Sequence, residues 1–406
     1  MKRLHINEQN IYPTYASPYT QTSCNRNMCI VLLTTAHPSY ALIVIDNRDE
    51  FILRPTSRPH WWTSVPEKVP YVAKSHGTGG SDGKLVDGDH SNRDGDTQEV
   101  LSSRDLQRAE RGTWLGVTRD GNLAVLTNYR ETDTGDAAHP VHGARSRGGM
   151  VTAWLGASPR EGVPEFVGRM LEGGVGNVGG FSLICGKLRR RRCGVAGDGA
   201  LEPLAIISNR SGSVDKVPWI CGERDQVYAL SNACYGEPNA WPKVEDGKRL
   251  LSEAVEKAVE QSLDEEGLMD ELFKVLDTDT LPLRDDLPFE GYIPLLKHSI
   301  FVPPIGDEHH RAAMEKAREK GKIEQFDEAT EEVRKEERPD ETSIGFETGM
   351  YGTQRQTVIL VDWDGNVTFR ERALWTKNGH SIERPDGDMT FRFKVDGWED
   401  GQGSMS

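Results

Sequence analysis

Short apolar runs separated by turn-forming residues recur along the chain. The first two runs are joined by the polar link 37–39, and two later pairs by Asp-Gly turns at 120–121 and 364–365, which predicts three β-hairpins. The runs that predict strands are 29–34, 40–45, 113–118, 123–127, 181–185, 204–207, 227–230, 357–361 and 367–370.

Helical periodicity appears between the strand-like runs. Apolar residues recur at helical spacing over 146–155, where Ser146 is a possible cap, and over 248–263 and 268–276. Strand hairpins at both ends with helices between them predict an α+β domain in which helices cover the sheets.

Two polar segments interrupt this pattern. Residues 74–99 are rich in Gly, Asp, Ser and His, which predicts disorder. Residues 307–343 are densely charged, with too few apolar positions to bury a face, and predict a solvated helix or a disordered loop. His309 and His310 lie in this second segment, so we expect both to be solvated and neither to be a haem ligand.

The predicted domain spans residues 29–376, with the two polar segments as insertions and residues 377–406 as a C-terminal tail. Residues 1–28 lack the apolar segment of a secretory signal. Two interpretations stay open: a disordered leader, or a start codon placed too early with Met28 as the true initiator.

The composition of the chain limits the classes of partner that the protein is expected to bind. The 406-residue chain has a formal net charge of −15, which disfavours binding to nucleic acid and to anionic membrane surfaces. No apolar run approaches the ~18–20 residues that a membrane-spanning helix needs. The six cysteines form no CxxC pair and no metal-ligand spacing, so the sequence predicts reduced thiols, no metal and a cytoplasmic location.

Candidate chemistry centres on Cys29. Arg48 and Asp49 follow the second predicted strand, so a hairpin would bring them near Cys29 as its charged partners. A thiol of this kind can use its own α-amine as the base if it is the first residue. The residues that precede Cys29 remove that amine, and initiation at Met28 or cleavage before Cys29 would restore it.

Two asparagines complete the candidate site. Asn128 and Asn232 each end an apolar strand and have side chains that can donate a hydrogen bond to an oxyanion. Structural roles are the alternative for each residue: Cys29 in the core, Arg48 and Asp49 as a buried ion pair, and the asparagines as turn or cap residues.

A series of short motifs in a fixed order resembles the NRDE family, also called the transport and Golgi organisation protein 2 family. The series extends from residue 28 to about residue 372. Its motifs are Met28-Cys29-Ile30, 47–51, 54–55, 112–116, 126–129, 146–148, 180–183, 208–210, 228–233, 351–353, 358–362, 364–365 and 367–369.

The resemblance implies an αββα sandwich like that of the N-terminal-nucleophile hydrolases. Its similarity to choloylglycine-type hydrolases implies Cys29 as nucleophile, Arg48 and Asp49 as its partners, and Asn232 as the residue that orients the substrate. The family usually has arginine where this chain has Gln354. Either Arg355 reaches the site from a local bulge, or an anion contact is lost.

The resemblance also implies a role in Golgi organisation, protein secretion, lipid balance and haem movement, with association with the Golgi or mitochondria. No cofactor is required, and haem is a possible cargo. Two hypotheses follow: a trafficking protein that holds haem or an acyl lipid, or a cysteine amidohydrolase that acts on a non-peptide C–N bond. A scaffold that uses the acidic 307–343 segment is a third.

Overall fold

The structure is a computed structural model in which two antiparallel sheets account for nearly all strands. It describes residues 29–64, 97–107, 111–129, 147–173, 175, 178–191, 199–236, 241–282, 287–320 and 349–400. The leader, most of the 74–99 segment and residues 321–343 lie outside the described residues, so the expectations for these segments stay predictions.

The strands occur along the whole described chain. They are β1 (Ile30–Thr34), β2 (Tyr40–Phe51), β3 (His60–Ser64), β4 (Gln98–Ser102), β5 (Leu115–Thr118), β6 (Asn122–Asn128), β7 (Phe181–Lys187), β8 (Arg190–Arg191), β9 (Ala200–Leu201), β10 (Leu204–Ser208), β11 (Trp219–Ile220), β12 (Val227–Leu230), β13 (Tyr351–Asp362), β14 (Asn366–Ala373) and β15 (Asp388–Lys394). Sheet I has the order β12-β1-β2-β13-β14-β15, and sheet II has the order β11-β10-β7-β6-β5-β4-β3.

The α-helices of the described residues are α1 (Gly148–Leu155), α2 (Val163–Glu172), α3 (Pro242–Glu260), α4 (Glu265–Leu276), α5 (Phe289–Tyr292) and α6 (Glu308–Lys320). The first four pack on the outer faces of the sheets. Helices α3 and α4 share an apolar cluster with sheet I, and α1 and α2 share another with sheet II. A third cluster fills the space between the sheets. These four layers confirm the predicted αββα sandwich.

Alternation along β1 shows how the sequence specifies the layers. Val31 and Leu33 enter the cluster between the sheets, whereas Ile30 and Leu32 pack against the helices. All are fully buried, and burying such a side chain contributes about 1.5–3 kcal/mol. A strand buried on both faces therefore reads as a continuous apolar run rather than an alternating one.

The three predicted hairpins are confirmed. Strands β1 and β2 pair antiparallel, as do β5 with β6 and β13 with β14. Gly121 and Gly365 have φ of +74° and +80°, a region that glycine enters without steric cost, which explains the two Asp-Gly turns.

The predicted tail is wrong for residues 377–400. Strand β15 pairs with β14 as the edge of sheet I. Phe393, Val395 and Trp398 are buried in the cluster between the sheets. This strand was missed because its apolar residues, Met389, Phe391 and Phe393, alternate with polar ones and so form no continuous run.

The predicted insertions also contain ordered elements. Residues 98–99 begin β4, and α6 occupies 308–320. His310 is 9% exposed, its Nδ1 lies 2.6 Å from Asp307 Oδ1, and its ring stacks on Phe51 at a centroid distance of 6.0 Å. The expectation that His310 is solvated is therefore wrong. His310 and Met314 form a narrow buried stripe on α6, although most of the other residues of this helix are charged.

Candidate functional site

The register of sheet I places polar side chains in two rows that cross its strands. Ile30 pairs with Asn47, so Cys29 continues the register opposite Arg48, and Arg48 in turn pairs with Arg355. The second row runs across the same strands two residue pairs further along, where Asp46 pairs with Thr357 and Thr357 pairs with Glu371. We call the polar members of both rows the inter-sheet polar cluster: Cys29, Asp46, Arg48, Arg355, Thr357 and Glu371.

The Cys29 thiol is enclosed. Its side chain is 5% exposed, and burial raises its pKa to about 12, with the negative charges of Asp46 and Asp49 adding to the shift. Arg48 and a hydrogen bond from the backbone N–H of Asp49 oppose the shift only in part. The thiol is therefore protonated at neutral pH in this arrangement.

The Arg48 guanidinium is fixed on the inner face. Nη1 donates a hydrogen bond to Gln354 Oε1, and Nη2 lies 3.7 Å from Glu50 Oε2. The guanidinium carbon lies 4.4 Å from the centroid of the Trp114 ring, within the range of a cation–π contact. Its ion-pair partner is thus Glu50, and the alternative of an Arg48–Asp49 ion pair is wrong.

Asp49 points to the opposite face of sheet I, toward the helices. Its Oδ1 accepts a hydrogen bond from Thr353 Oγ1 at 2.7 Å. Burial raises the pKa of the Asp49 carboxyl to about 7, although the charges of Lys243 and Arg48 and the Thr353 hydrogen bond lower it. Asp49 therefore acts on Cys29 through its backbone N–H and its charge.

A β-bulge decides between the two expectations for Arg355. Thr353 pairs with Asp49 and Arg355 pairs with Arg48, so Gln354 is one residue extra on β13. Gln354 accepts from Arg48, and Arg355 Nε lies 3.8 Å from Glu371 Oε1. The bulge thus brings Arg355 to the same face as Arg48, as the first alternative predicted.

Several buried atoms of the inter-sheet polar cluster have no hydrogen-bond partner among the described residues. They are both carboxyl oxygens of Asp46, Nε and Nη1 of Arg355, and Oγ1 of Thr357. Burial and the neighbouring charge of Asp49 raise the pKa of Asp46 well above its usual value. Buried polar atoms are rarely left without partners, so this pattern indicates a place for a bound polar group.

Asn232 lies beside Cys29. The pairing of Val31 with Leu230 continues toward Cys29 and Asn232, and Ser231 Oγ donates to the Cys29 carbonyl oxygen at 2.7 Å. Asn232 has φ of +47°, an uncommon conformation for a residue other than glycine. The structure therefore brings Cys29, Arg48 and Asn232 together.

Asn128 belongs to sheet II instead. It ends β6 opposite Phe181 and is half-buried. The next residue of β7, Ser182, donates to the Ala233 carbonyl oxygen at 3.0 Å, which places this end of sheet II against the chain that follows Asn232. Its predicted role as a hydrogen-bond donor stays a prediction.

Lys243 was not predicted as a site residue. Its side chain is 0% exposed, and its Nζ has no hydrogen-bond partner within the described chain. Burial lowers the pKa of Lys243, opposed by the charges of Asp49 and Cys29. A lysine in the first turn of a helix is normally solvated, so no sequence signal marked it.

Comparison with known proteins identifies the family. The profile of the family described as Transport and Golgi organisation 2 matches residues 28–78 and 90–376, most of the chain. The chain belongs to this family. Membership confirms the resemblance predicted from the short motifs, and the match includes Cys29, Arg48, Asp49, Asn128 and Asn232.

Two proteins that carry this family's name match the chain over most of their own length. The Transport and Golgi organization protein 2 homolog of Bos taurus is 29% identical over 357 residues, covering 86% of this chain and 93% of the relative. The Homo sapiens homolog of that name is 27% identical over 357 residues, covering 86% of this chain and 95% of the relative.

Solved structures resemble the chain only distantly. A mutant of the conjugated bile acid hydrolase from Clostridium perfringens covers 93% of this chain and 100% of its own, with 9% identity and a TM-score of 0.29. So low a score carries no conclusion, and the αββα assignment rests on the sheets and helices described above.

No helix of the described ranges has both the length and the apolar character to cross a bilayer. No group of three or more His, Cys, Asp or Glu residues with metal-binding geometry occurs in the part of the chain that the structure describes.

Proposed function

We propose that this chain acts in transport and Golgi organisation, as the names of its family and relatives state, by holding a small carboxylate-bearing cargo between its sheets. Haem and free fatty acids both carry carboxylates, so both fall in this class. In this role the protein would support secretion and haem or lipid homeostasis.

Arg355 carries the proposal. Its Nε and Nη1 are buried and without hydrogen-bond partners in the described residues. A guanidinium presents its N–H groups in a planar fork that matches the two oxygens of a carboxylate. The Glu371 carboxylate lies 3.8 Å from Nε, too far for a hydrogen bond, and accepts the single hydroxyl proton of Ser103, whose Oγ lies 2.7 Å from each carboxylate oxygen.

The protonated state of Cys29 favours a cargo-binding role for the protein over a catalytic one. A thiol whose pKa is raised to about 12 supplies little thiolate at neutral pH. A cargo site needs no thiolate, whereas nucleophilic attack does.

The test is a binding titration of protein that begins at Met28, with haem and with oleate. We expect saturable binding, unchanged by Cys29→Ala. The paired substitution Arg355→Gln with Glu371→Gln, which leaves no buried charge unpaired, should weaken it by about tenfold or more, since a hydrogen bond to a charged group contributes about 1.5–3 kcal/mol. Arg392→Gln, at an exposed arginine, is the control. Absence of saturable binding, or equal affinity in the paired variant, would contradict the proposal.

A second candidate is a cysteine amidohydrolase acting on a non-peptide C–N bond. The proximity of Cys29 to Arg48 and Asn232 favours it. We expect any such turnover to require a free α-amine at Cys29 and to be lost in Cys29→Ala. An amide-substrate screen, run on chains with and without residues 1–28 and paired with intact mass of the N-terminus, tests this. Turnover that survives Cys29→Ala would exclude the nucleophile.

A further inference from the structure

Strand β15 is the longest of the strands that end the two sheets in the described residues. It has seven residues, whereas β3, β11 and β12 have five, two and four. It pairs with β14 along its whole length without a bulge. A long, regular edge strand presents a row of backbone groups with which another strand can pair, and proteins usually shorten, bend or cover such edges. The outer edge of β15 is therefore a candidate docking site for a further strand.

Two hydrogen bonds show which backbone groups of β15 face outward. The Gly387 carbonyl oxygen accepts from the Ala373 N–H, and the Val395 N–H donates to the Gly365 carbonyl oxygen, both at 2.9 Å and both on the β14 side. In an antiparallel sheet, the backbone groups of successive residues point to opposite edges. Every second residue from 387 to 395 therefore bonds to β14, and the residues between them direct their N–H and C=O groups outward. These outward-facing residues are Asp388, Thr390, Arg392 and Lys394.

This outer edge is accessible in the part of the chain that the structure describes. No strand there pairs with it. The Asp388 N–H donates to the Pro385 carbonyl oxygen at 2.7 Å, but no other outward-facing backbone group of β15 has a backbone partner among the described residues. Arg392 and Lys394 are exposed, and Thr390 is half-buried. The edge can thus accept a strand without displacing one.

The side chains of β15 are complementary to one another in an antiparallel pair of two copies. A pair centred on Phe391 places Asp388 of one copy opposite Lys394 of the other, and opposite charges directly across two strands stabilise their pairing. Asp388 already accepts from Arg372 at 2.8 Å, so the pair would place this carboxylate between two cations. The remaining opposed residues are Met389 with Phe393, Thr390 with Arg392, and Phe391 with its own copy.

The backbone directions exclude the neighbouring registers. A shift by one residue would oppose side chains that lie on different faces of the sheet, and it would oppose outward-facing backbone groups with groups that bond to β14. A pair centred on Arg392 would set this arginine against its own copy. A pair centred on Thr390 would leave Phe393 and Lys394 without an opposing strand residue. Only the pair centred on Phe391 opposes all seven residues of the strand without placing like charges together.

We propose that β15 is the interface of a two-fold symmetric homodimer, in which the β15 strands of two copies pair antiparallel about Phe391. The two copies of sheet I then form one continuous sheet. A two-fold interface requires a surface that is complementary to itself, and here one strand supplies both members of each opposed pair. The dimer involves neither Arg355 nor a free α-amine at Cys29, so it stands apart from the function proposed above.

Sedimentation velocity of the full chain over about 1–100 μM tests the proposal, because an interface of one strand pair is small and its dimer dissociates on dilution. We expect wild type to change from monomer to dimer across this range. Lys394→Glu places two acidic side chains opposite each other and should weaken the dimer by about tenfold or more. Lys216→Glu changes the charge equally at another exposed lysine and should leave the dimer unchanged. A wild-type monomer throughout, or a dimer that Lys394→Glu leaves unchanged, would overturn the proposal.

Thr390→Pro tests the backbone contribution to the dimer. Proline has no N–H, and an edge strand tolerates it where that N–H faces outward. The variant should keep the hydrogen bonds between β14 and β15, retain the circular dichroism spectrum of wild type and remain monomeric. A folded variant that dimerises as well as wild type would exclude the β15 edge as the interface.

Disulfide trapping tests the register. In the proposed dimer Phe391 lies opposite its own copy as a non-hydrogen-bonded pair, whose Cα atoms lie about 4.5 Å apart, within the range of a disulfide. Phe391→Cys should therefore form a covalent dimer on mild oxidation. Met389→Cys, which changes a residue on the same strand and face, is the control and should not. Equal trapping of the two variants, or a disulfide of residue 391 within its own chain, would contradict the proposed pairing.

Discussion

Replacing Arg54 with methionine is expected to lower the free energy of unfolding by about 3–5 kcal/mol, because it removes the nearer cation from Glu50 and the hydrogen-bonded cation from Asp105, and both carboxylates are largely buried. Arg54 Nη1 lies 3.0 Å from Glu50 Oε2 at the end of β2, and Nη2 lies 2.5 Å from Asp105 Oδ2 beyond β4. The side chain is 12% exposed and Glu50 is 2% exposed. Arg54 therefore joins the site ends of the two sheets.

The Arg54→Met effect depends on pH in a defined direction. Burial raises the pKa of Asp105, but the charges of Arg54 and Arg48 outweigh it, so the pKa lies below its usual value. The stability from Asp105 is therefore present above the unfolded pKa of about 3.9 and lost as pH falls through the folded pKa. The difference between wild type and variant should narrow below about pH 4.

Denaturant unfolding at pH 7 and at pH 3.5 measures both effects. Arg392→Met is the matched control, because Arg392 forms an ion pair with Glu265 while 59% exposed. Such exposed pairs contribute at most about 1 kcal/mol. Equal losses for Arg54→Met and Arg392→Met would contradict a buried ion network between the sheets.

Replacing Lys243 with methionine is expected to raise the free energy of unfolding by about 1–3 kcal/mol. Methionine keeps an unbranched side chain of similar length in the fully buried position and removes an amine that has no hydrogen-bond partner among the described residues. Lys248→Met is the control and should change stability by less than about 0.5 kcal/mol. A loss of stability in Lys243→Met would show that the amine has a stabilising partner.

The gain from Lys243→Met should shrink at high pH. The folded pKa of Lys243 is lowered, so between that pKa and the unfolded value of about 10.4 the unfolded chain binds a proton that the folded chain does not. Wild-type stability therefore rises with pH across this window. The methionine variant lacks this rise, so unfolding at pH 7 and pH 10 should bring the two proteins closer together.

Much of the fold was predictable because local signals agree with the tertiary structure. The apolar runs and the Asp-Gly turns each specify a hairpin whose strands are buried on both faces. Helix α2 was missed, although Val163, Phe166, Val167 and Met170 are buried at helical spacing and the Glu165 side chain caps Gly162. That signal was present in the sequence.

The charged end of strand β2 was less predictable than its apolar part. Residues 46–50 are strongly polar, yet they continue β2 and are all buried. Local composition disfavours a buried strand there, and only tertiary contacts, such as Arg48 on Trp114 and Thr353 on Asp49, compensate for the burial. Exceptions of this kind are expected at functional sites, where local preference is overridden.

The central residues of the candidate site could be predicted from the sequence, whereas several residues that surround them could not. Cys29, Arg48 and Asn232 follow from the hairpin and the family motifs. Asp46 was missed because it ends an apolar run, and Lys243 because it approaches from a helix more than 190 residues away in sequence. The face of the sheet on which Arg355 lies depends on the β-bulge at Gln354. No residue preference in the sequence specifies that bulge.

The two faces of sheet I have different chemistry at one end. The inner face presents Arg48 and Arg355 beside a protonated thiol, and the outer face presents Lys243 beside Asp49. Cys29 and Asp49 are linked through a backbone hydrogen bond, so the faces share one strand segment.

A crystal structure of the protein with bound oleate or haem tests the central claim most directly. We predict a carboxylate of the bound molecule within hydrogen-bond distance of Arg355 Nε and Nη1, which are buried and donate no hydrogen bond to the described residues. A carboxylate bound elsewhere, with Arg355 contacting only water or protein, would contradict the account.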